Sequence, residues 1–171
     1  MCIRDSDNPL VSIVIPVYNE WVVTHRCLWS VLQNTSIPYE VIVADDCSTD
    51  ETTNINEYVT GIRVVRQREN QRFLKNCNLA AEHTKGKYLL FLNNDTAVTS
   101  NWLTPLVKLF DDATVGIVGP KLLFPDGKLQ EAGGIVWQDA SGWNFGRADD
   151  PNAPQYNYVR ETDYVLSLIH I

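Results

Sequence analysis

The chain has 171 residues, a formal net charge of -7 and 44% hydrophobic residues, enough for one domain with a sizeable core. The acidic balance argues against a nucleic-acid backbone or an anionic membrane surface as partner. No apolar stretch is long enough to span a bilayer, but a nucleotide ligand stays open, because a metal can neutralise its phosphates.

Both ends read as foreign. Met1–Ser6 and Leu166–Ile171 can be back-translated as reverse complements of each other, which resembles a transposon-end adapter. They are set aside as one would an expression scar, and the native segment is expected at residues 7–165. Outside those ends Cys27, Cys47 and Cys77 are odd in number and form no CxxC. They read as reduced, mostly buried thiols of a cytosolic protein, with no zinc site.

In chain order, the β-branched run Val11–Val17 predicts a first strand. Pro16 cannot donate to a ladder, so the strand should end there or be left open at that point. Trp21–Leu32 has apolar residues at helical spacing, and Asn34–Pro38 breaks that helix. Tyr39–Ala44 is a second strand ending in Asp45-Asp46. Ser48 or Thr49 can cap a weakly patterned helix that runs to about Tyr58, with Asp50 and Glu51 favoured in its first turn. A third strand is expected at Ile62–Gln67 and a helix at about Phe73–His83. Tyr88–Leu92 is an apolar run of strand length that stops at Asn93-Asn94-Asp95. Trp102–Phe110 is helical, and Val115–Val118 is a short strand. From Pro120 the pattern changes to an antiparallel excursion around the turn Pro125-Asp126-Gly127. Ala140–Tyr158 reads as a long surface loop, and no second domain is visible.

Strands alternating with helices imply a mostly parallel sheet with right-handed crossovers. Ligands of such sheets bind beyond the carboxyl ends of the strands. Polar clusters follow three of the strands: Tyr18-Asn19-Glu20, Asp45-Asp46 and Asn93-Asn94-Asp95. Each alone could be loop solvation or a helix cap. Together they form an acidic edge, to which a nucleotide diphosphate with a divalent metal would be suited. Asp95 is a hard oxygen ligand of the kind that takes Mg²⁺ or Mn²⁺.

The stretches Val11–Asn19, Val41–Asp50, Leu90–Thr96, Val118–Gln130 and Ala132–Gly134 resemble the family-two glycosyltransferases with a GT-A fold, in the rhamnosyltransferase-like branch. They cover nearly all of the native segment, in order. The resemblance implies an inverting transferase that moves a sugar from a UDP- or dTDP-sugar to a saccharide or lipid-linked acceptor. It further implies cell-surface polysaccharide synthesis on the cytoplasmic face of a bacterial membrane, with possible peripheral membrane association. Pro16, Tyr18 and Glu20 would border the nucleotide. Asp46 would accept a hydrogen bond from the base, supported by Asp45. Asp95 matches the last residue of the family's DxD-like motif and would hold the metal. Asn94 would contact phosphate or sugar, and Asn78 matches an Asn that helps the nucleotide pocket.

The chain departs from the pattern at two places. Asn93 stands where the motif usually begins with an acid, and Arg72 stands where a Gly usually precedes Phe. The resemblance places the general base beyond Asp163–Val165, so the chain is expected to carry the donor site alone and to turn over poorly. A receiver-type signalling domain fits less well, because its acidic pair follows the first strand. Nucleotidyltransferases and Rossmann dehydrogenases fail for want of a Gly-rich loop. A non-catalytic nucleotide-binding remnant stays open.

Overall fold

The computed structural model describes residues 1–3, 6–165 and, as backbone only, 169–170. The chain divides into two compact units, Met1–Gly116 joined by a late strand, and Ile117–Leu168. The sequence alone shows no second domain. The second unit is built from strands of only two or three residues, too short to give a periodic signal.

The first unit holds β1 (Val11–Val17), α1 (Trp21–Asn34), β2 (Tyr39–Asp45), α2 (Ile55–Tyr58), β3 (Arg63–Arg66), α3 (Arg72–Ala81), β4 (Tyr88–Phe91) and α4 (Leu103–Lys108). A 3₁₀ turn, Glu51–Asn54, precedes α2, and another, Leu109–Asp111, follows α4. The second unit opens with β5 (Ile117–Val118), followed by β6 (Leu122–Leu123), β7 (Leu129–Glu131), β8 (Gly134–Val136) and β9 (Gly142–Asn144). The late strand of the first unit is β10 (Ile169–His170).

The parallel strands lie in the order β3-β2-β1-β4, with β10 antiparallel beside β4. Every residue of β1 and β2 is buried, which is why both read as unbroken apolar runs. Val14, Ile42 and Ala44 pack under Ala80 of α3 on one face. Ile13, Ile15, Val41 and Val43 are equally buried on the other, so the sheet is covered on both sides.

Pro16 does not end β1. The Val14 carbonyl accepts from Leu92 N–H (2.9 Å) and the Val17 carbonyl from Asp46 N–H (2.8 Å). In a parallel ladder residues face alternate neighbours, so Pro16 faces the β4 side. Pairing between β1 and β4 stops at Val14↔Phe91, so the missing donor falls where the ladder has already ended.

The opposite end of the sheet is closed by a buried polar knot. Ser12 Oγ donates to Glu40 Oε1 (2.5 Å), Lys85 N–H donates to the same oxygen (2.6 Å), and Gly86 N–H donates to Ser12 Oγ (2.8 Å). The knot fixes the turn into β4. A Cβ on Gly86 would stand 2.6 Å from Ser12 N, so only glycine fits there.

Residues set aside as adapter-like do make contacts. Ile3 is buried, and its N–H donates to the Thr60 carbonyl (2.8 Å). β10 lies in the other set-aside end. The remaining residues of 1–6 and 166–171 that are not named here fall partly outside the described residues.

In the second unit the Pro125-Asp126-Gly127 turn joins β6 to antiparallel β7 as expected, with Gly127 at φ 85°. The stretch read as one long loop instead contains β9, paired antiparallel with β8. Tyr164 covers one face of that hairpin. Gly134 N–H donates to its carbonyl (2.8 Å), its hydroxyl donates to Asn144 Oδ1 (2.8 Å), and a Cβ on Gly134 would collide with its ring.

Among the described residues no helix is long and apolar enough to cross a membrane.

Candidate functional site

The register brings the expected polar clusters to one edge. Val17 pairs with Asp45, and Asp45 pairs with Arg66. Asn93–Asp95 begin two residues beyond the last residue of β4. Strand order reverses between β1 and β4, the position at which open α/β sheets leave a crevice.

Asn19 ties the first two loops together. It and Glu20 both lie in the left-handed region, at φ 58° and 61°. Asn19 tolerates that conformation better than most residues. Its N–H donates to Ser48 Oγ (2.7 Å), and its Oδ1 accepts from the N–H groups of Thr49 (2.7 Å) and Asp50 (3.3 Å). Trp21 N–H donates to Asp50 Oδ2 (3.0 Å). Burial alone would raise the Asp50 carboxyl; contacts from Thr52 and Trp21 outweigh it and hold the group below the usual carboxylate range. Tyr18 and Glu20 are left exposed.

The two aspartates at the end of β2 have different roles. Asp45 is fully buried and faces inward. Its Oδ1 accepts from Ser48 N–H (2.9 Å) and its Oδ2 from Arg66 Nε (2.6 Å). Both oxygens are engaged, so Asp45 acts as a brace. Asp46 is buried as well, with Oδ1 accepting from Gln71 N–H (2.6 Å). Oδ2 has no hydrogen-bond partner among the described residues. Arg66 and Gln71, which bond Asp45 and Asp46, also line an open hollow of ≈ 560 Å³ together with Gln67, Arg68 and Glu69. A second hollow, ≈ 590 Å³, lies along Asn19, Glu20, Trp21, Val22 and Thr49–Glu51.

Beyond β4, Asn94 Nδ2 donates to Thr24 Oγ1 on α1 (3.0 Å), which fixes that amide. Asp95 is exposed, and its carboxylate takes part in no hydrogen bond or ion pair among the described residues. Its charge is felt by Cys27, whose thiol burial pushes up to about 12, with Asp95 adding to the rise. Cys77 behaves likewise: burial, then the Asp46 charge, pushes it up to about 11.

Asn78 lies exposed on α3. The asparagine that reaches the strand ends is Asn76, buried on the same helix, whose Nδ2 donates to the Ala44 carbonyl (2.7 Å). Asn76 sits with Cys77 and Ala80 on the buried side of α3, and a polar residue on an apolar stripe is the signal that could have marked it. Arg66 was also missed. It stands level with Asp45 at the end of a strand, an unusual place for a cation unless it has an acidic partner.

These features agree with a known pattern. Residues 12–149 match the profile of Glycosyl transferase family 2. The chain belongs to that family. O-antigen biosynthesis protein RfbC of Myxococcus xanthus is 37% identical over 133 residues, 75% of this chain and 10% of RfbC. An uncharacterised protein of Mycobacterium tuberculosis, MT1568, is 29% identical over 137 residues, 78% of this chain and 41% of the relative. Among solved structures, residues 1–349 of S. aureus TarS superpose with TM-score 0.60 and 25% identity, over 69% of this chain and 37% of that one. The mannosyltransferase PcManGT of Pyrobaculum calidifontis, solved with GDP-Man and Mn²⁺, gives TM-score 0.60 and 25% identity over 71% and 37%. The fold of this family-2 chain is therefore GT-A. The chain spans less than half the length of each of these proteins.

The described residues contain no group of three or more His, Cys, Asp or Glu placed to hold a metal. Asp95, like Glu20 beyond β1, is an exposed carboxylate at the strand-end edge that takes part in no hydrogen bond among the described residues, which is what a carboxylate free to hold an ion requires. An ion held by one carboxylate must take its other ligands from substrate oxygens and water.

Proposed function

We propose that the strand-end edge of the first unit binds the nucleotide-diphosphate part of a UDP- or dTDP-sugar, as the donor side of an inverting glycosyltransferase. The observation that carries this reading is the pair of free carboxylate oxygens at one edge: Asp46 Oδ2, and Asp95 exposed beyond β4. Asp46 would accept from the imide N–H of uracil or thymine, with Asp45, Ser48 and Arg66 keeping its strand end in place. Pro16, Tyr18 and Glu20 would border the nucleotide. Asn94, held by Thr24, would present its amide to phosphate or sugar.

Asp95 would hold a Mg²⁺ or Mn²⁺ ion. When bound, such an ion neutralises the charge that develops on the leaving diphosphate. The chain's own residues orient the donor and fix its base. The acceptor hydroxyl's proton goes to a base that this reading does not assign to any described residue.

On this reading the acceptor is a saccharide or a lipid-linked acceptor in cell-surface polysaccharide synthesis. Support comes from the relative named for O-antigen biosynthesis. On this reading the reaction runs on the cytoplasmic face of a bacterial plasma membrane, with peripheral association.

A thermal-shift titration with UDP, dTDP and GDP, each with and without Mn²⁺, tests the site. Stabilisation by UDP or dTDP that requires Mn²⁺ and is lost in Asp95→Ala is expected. A cooperatively folded sample that responds to no nucleotide would overturn the reading.

A further inference from the structure

We propose that the face of the β8–β9 hairpin bearing Trp137 and Trp143 is a stacking platform for a neutral pyranose ring. The choice of a sugar as occupant rests on the transferase reading above.

The register decides which side chains share this face. Ile135 pairs with Trp143, and Trp137 N–H donates to the Ser141 carbonyl (2.8 Å) one step further along. Paired residues lie on the same side of an antiparallel ladder, and so do residues two apart. Ile135, Trp137, Ser141 and Trp143 therefore share one face. Gly134, Gly142 and Asn144 share the other, which Tyr164 covers. The tryptophan face keeps its indoles open: Trp137 is 53% exposed and Trp143 45%. They are diagonal neighbours, with Cα atoms about 7–8 Å apart for such a pair. Trp143 is backed edge-on by Phe145 at 6.3 Å between ring centroids.

The turn supplies the polar half of the site. Asp139 Oδ1 accepts from Ser141 N–H (3.0 Å) and Ser141 Oγ (2.6 Å). Those two bonds hold its carboxyl below the usual range and fix it to Ser141, which shares the tryptophan face. Two half-open indoles beside an oriented carboxylate match a pyranose, whose C–H face is apolar and whose rim is hydroxyl donors. Arg160 lies over the Phe145 ring, 4.2 Å from its centroid, so the face carries a cation as well as the Asp139 carboxylate, and insertion into hydrocarbon would strand both charges.

Saturation-transfer NMR on the whole chain tests the platform, with tetrasaccharides of β-linked N-acetylglucosamine, α-linked mannose and α-linked rhamnose as probes. Transfer to ring C–H protons of at least one probe is expected. Trp137→Ala or Trp143→Ala should weaken that binding by roughly fivefold to tenfold, and the corresponding Phe variants should recover part of it. Absence of transfer to all three probes would overturn the proposal, as would transfer that both Ala variants leave unchanged. Sedimentation of each variant is run alongside; a dimer that becomes a monomer in Trp137→Ala would assign the face to self-association instead. The nucleotide titration on the same samples separates the two readings. A nucleotide response without saccharide binding sinks the platform alone, whereas failure of both sinks the transferase reading with it.

Discussion

Arg66 Nε stands 2.6 Å from Asp45 Oδ2, with the Asp45 side chain fully buried and the arginine 40% exposed. The same guanidinium donates through Nη2 to the carbonyls of Thr52 (3.2 Å) and Thr53 (3.1 Å). One side chain thus joins the ends of β2 and β3 to the turn before α2. Removing it leaves a buried carboxylate without its cation. Arg66→Ala is expected to cost about 2–3 kcal/mol, toward the lower end of such losses because the arginine is partly solvated. Arg66→Lys should recover less than half, since an ammonium cannot make the same fork. Urea denaturation midpoints at constant slope check both.

Arg72 occupies the left-handed region at φ 61°, where its family resemblance usually has glycine. The conformation costs an L-residue about 1–2 kcal/mol. Arg72→Gly is expected to be neutral or stabilising by up to about 1 kcal/mol, because glycine's greater chain entropy offsets part of the relief. Arg72→Val should lower the melting temperature, as a β-branched residue is least tolerant there. A drop in Tm for Arg72→Gly would show instead that the guanidinium contributes more than the strain costs.

Gly86 is the tightest point of the buried knot at the foot of the sheet. Gly86→Ala would push a methyl into the Ser12 backbone and disturb the Gly86–Ser12 and Lys85–Glu40 hydrogen bonds. The expected loss is about 1–3 kcal/mol, read from chemical denaturation. Because the knot lies at the end of the sheet away from the strand-end loops, nucleotide affinity of the folded fraction should stay unchanged.

The two buried thiols give an alkaline signature. Their folded pKa values, about 12 for Cys27 and about 11 for Cys77, lie above the ordinary value of 9.0. The fold therefore favours the protonated thiol. That contribution is fully present below pH 9 and is lost as pH rises through 9 toward 11–12, where the unfolded chain ionises first. Stability should fall above pH 9, and a Cys27→Ala, Cys77→Ala double variant should show a shallower fall. At neutral pH, iodoacetamide should label the exposed Cys2 and half-buried Cys47 well before Cys27 and Cys77. Rapid labelling of Cys27 in folded protein would contradict its burial.

The strands of the parallel sheet were legible because burial on both faces writes itself as unbroken apolar runs, as at Val11–Val17 and Tyr39–Ala44. The acidic edge was legible because each strand stops at its polar cluster. Other features depend on contacts between distant residues. Nothing near Asp45 in the chain announces Arg66, 21 residues later. Asn76 differs from Asn78 in sequence only by its place on the Cys77–Ala80 stripe, and the partner that makes it matter, the Ala44 carbonyl, lies 32 residues away. The β8–β9 pairing escaped notice because three-residue strands carry too little periodicity. Ile3 is buried and bonded to Thr60 although the back-translated end resembles an adapter, since removing an apolar side chain from water is favourable whatever its origin.

Pro16 has a last consequence. Where two neighbouring strands part, each normally leaves a dangling donor that invites water or a foreign strand. Here the chain parts from β4 at the one residue with no N–H to leave behind. The fork between β1 and β4 opens with one backbone donor fewer to satisfy on the β1 side, the Pro16 carbonyl remaining as an acceptor. On the proposed reading the mouth of the donor site is in this sense made by a missing hydrogen atom, and Pro16→Ala would restore a donor with which β1 extends its ladder along β4.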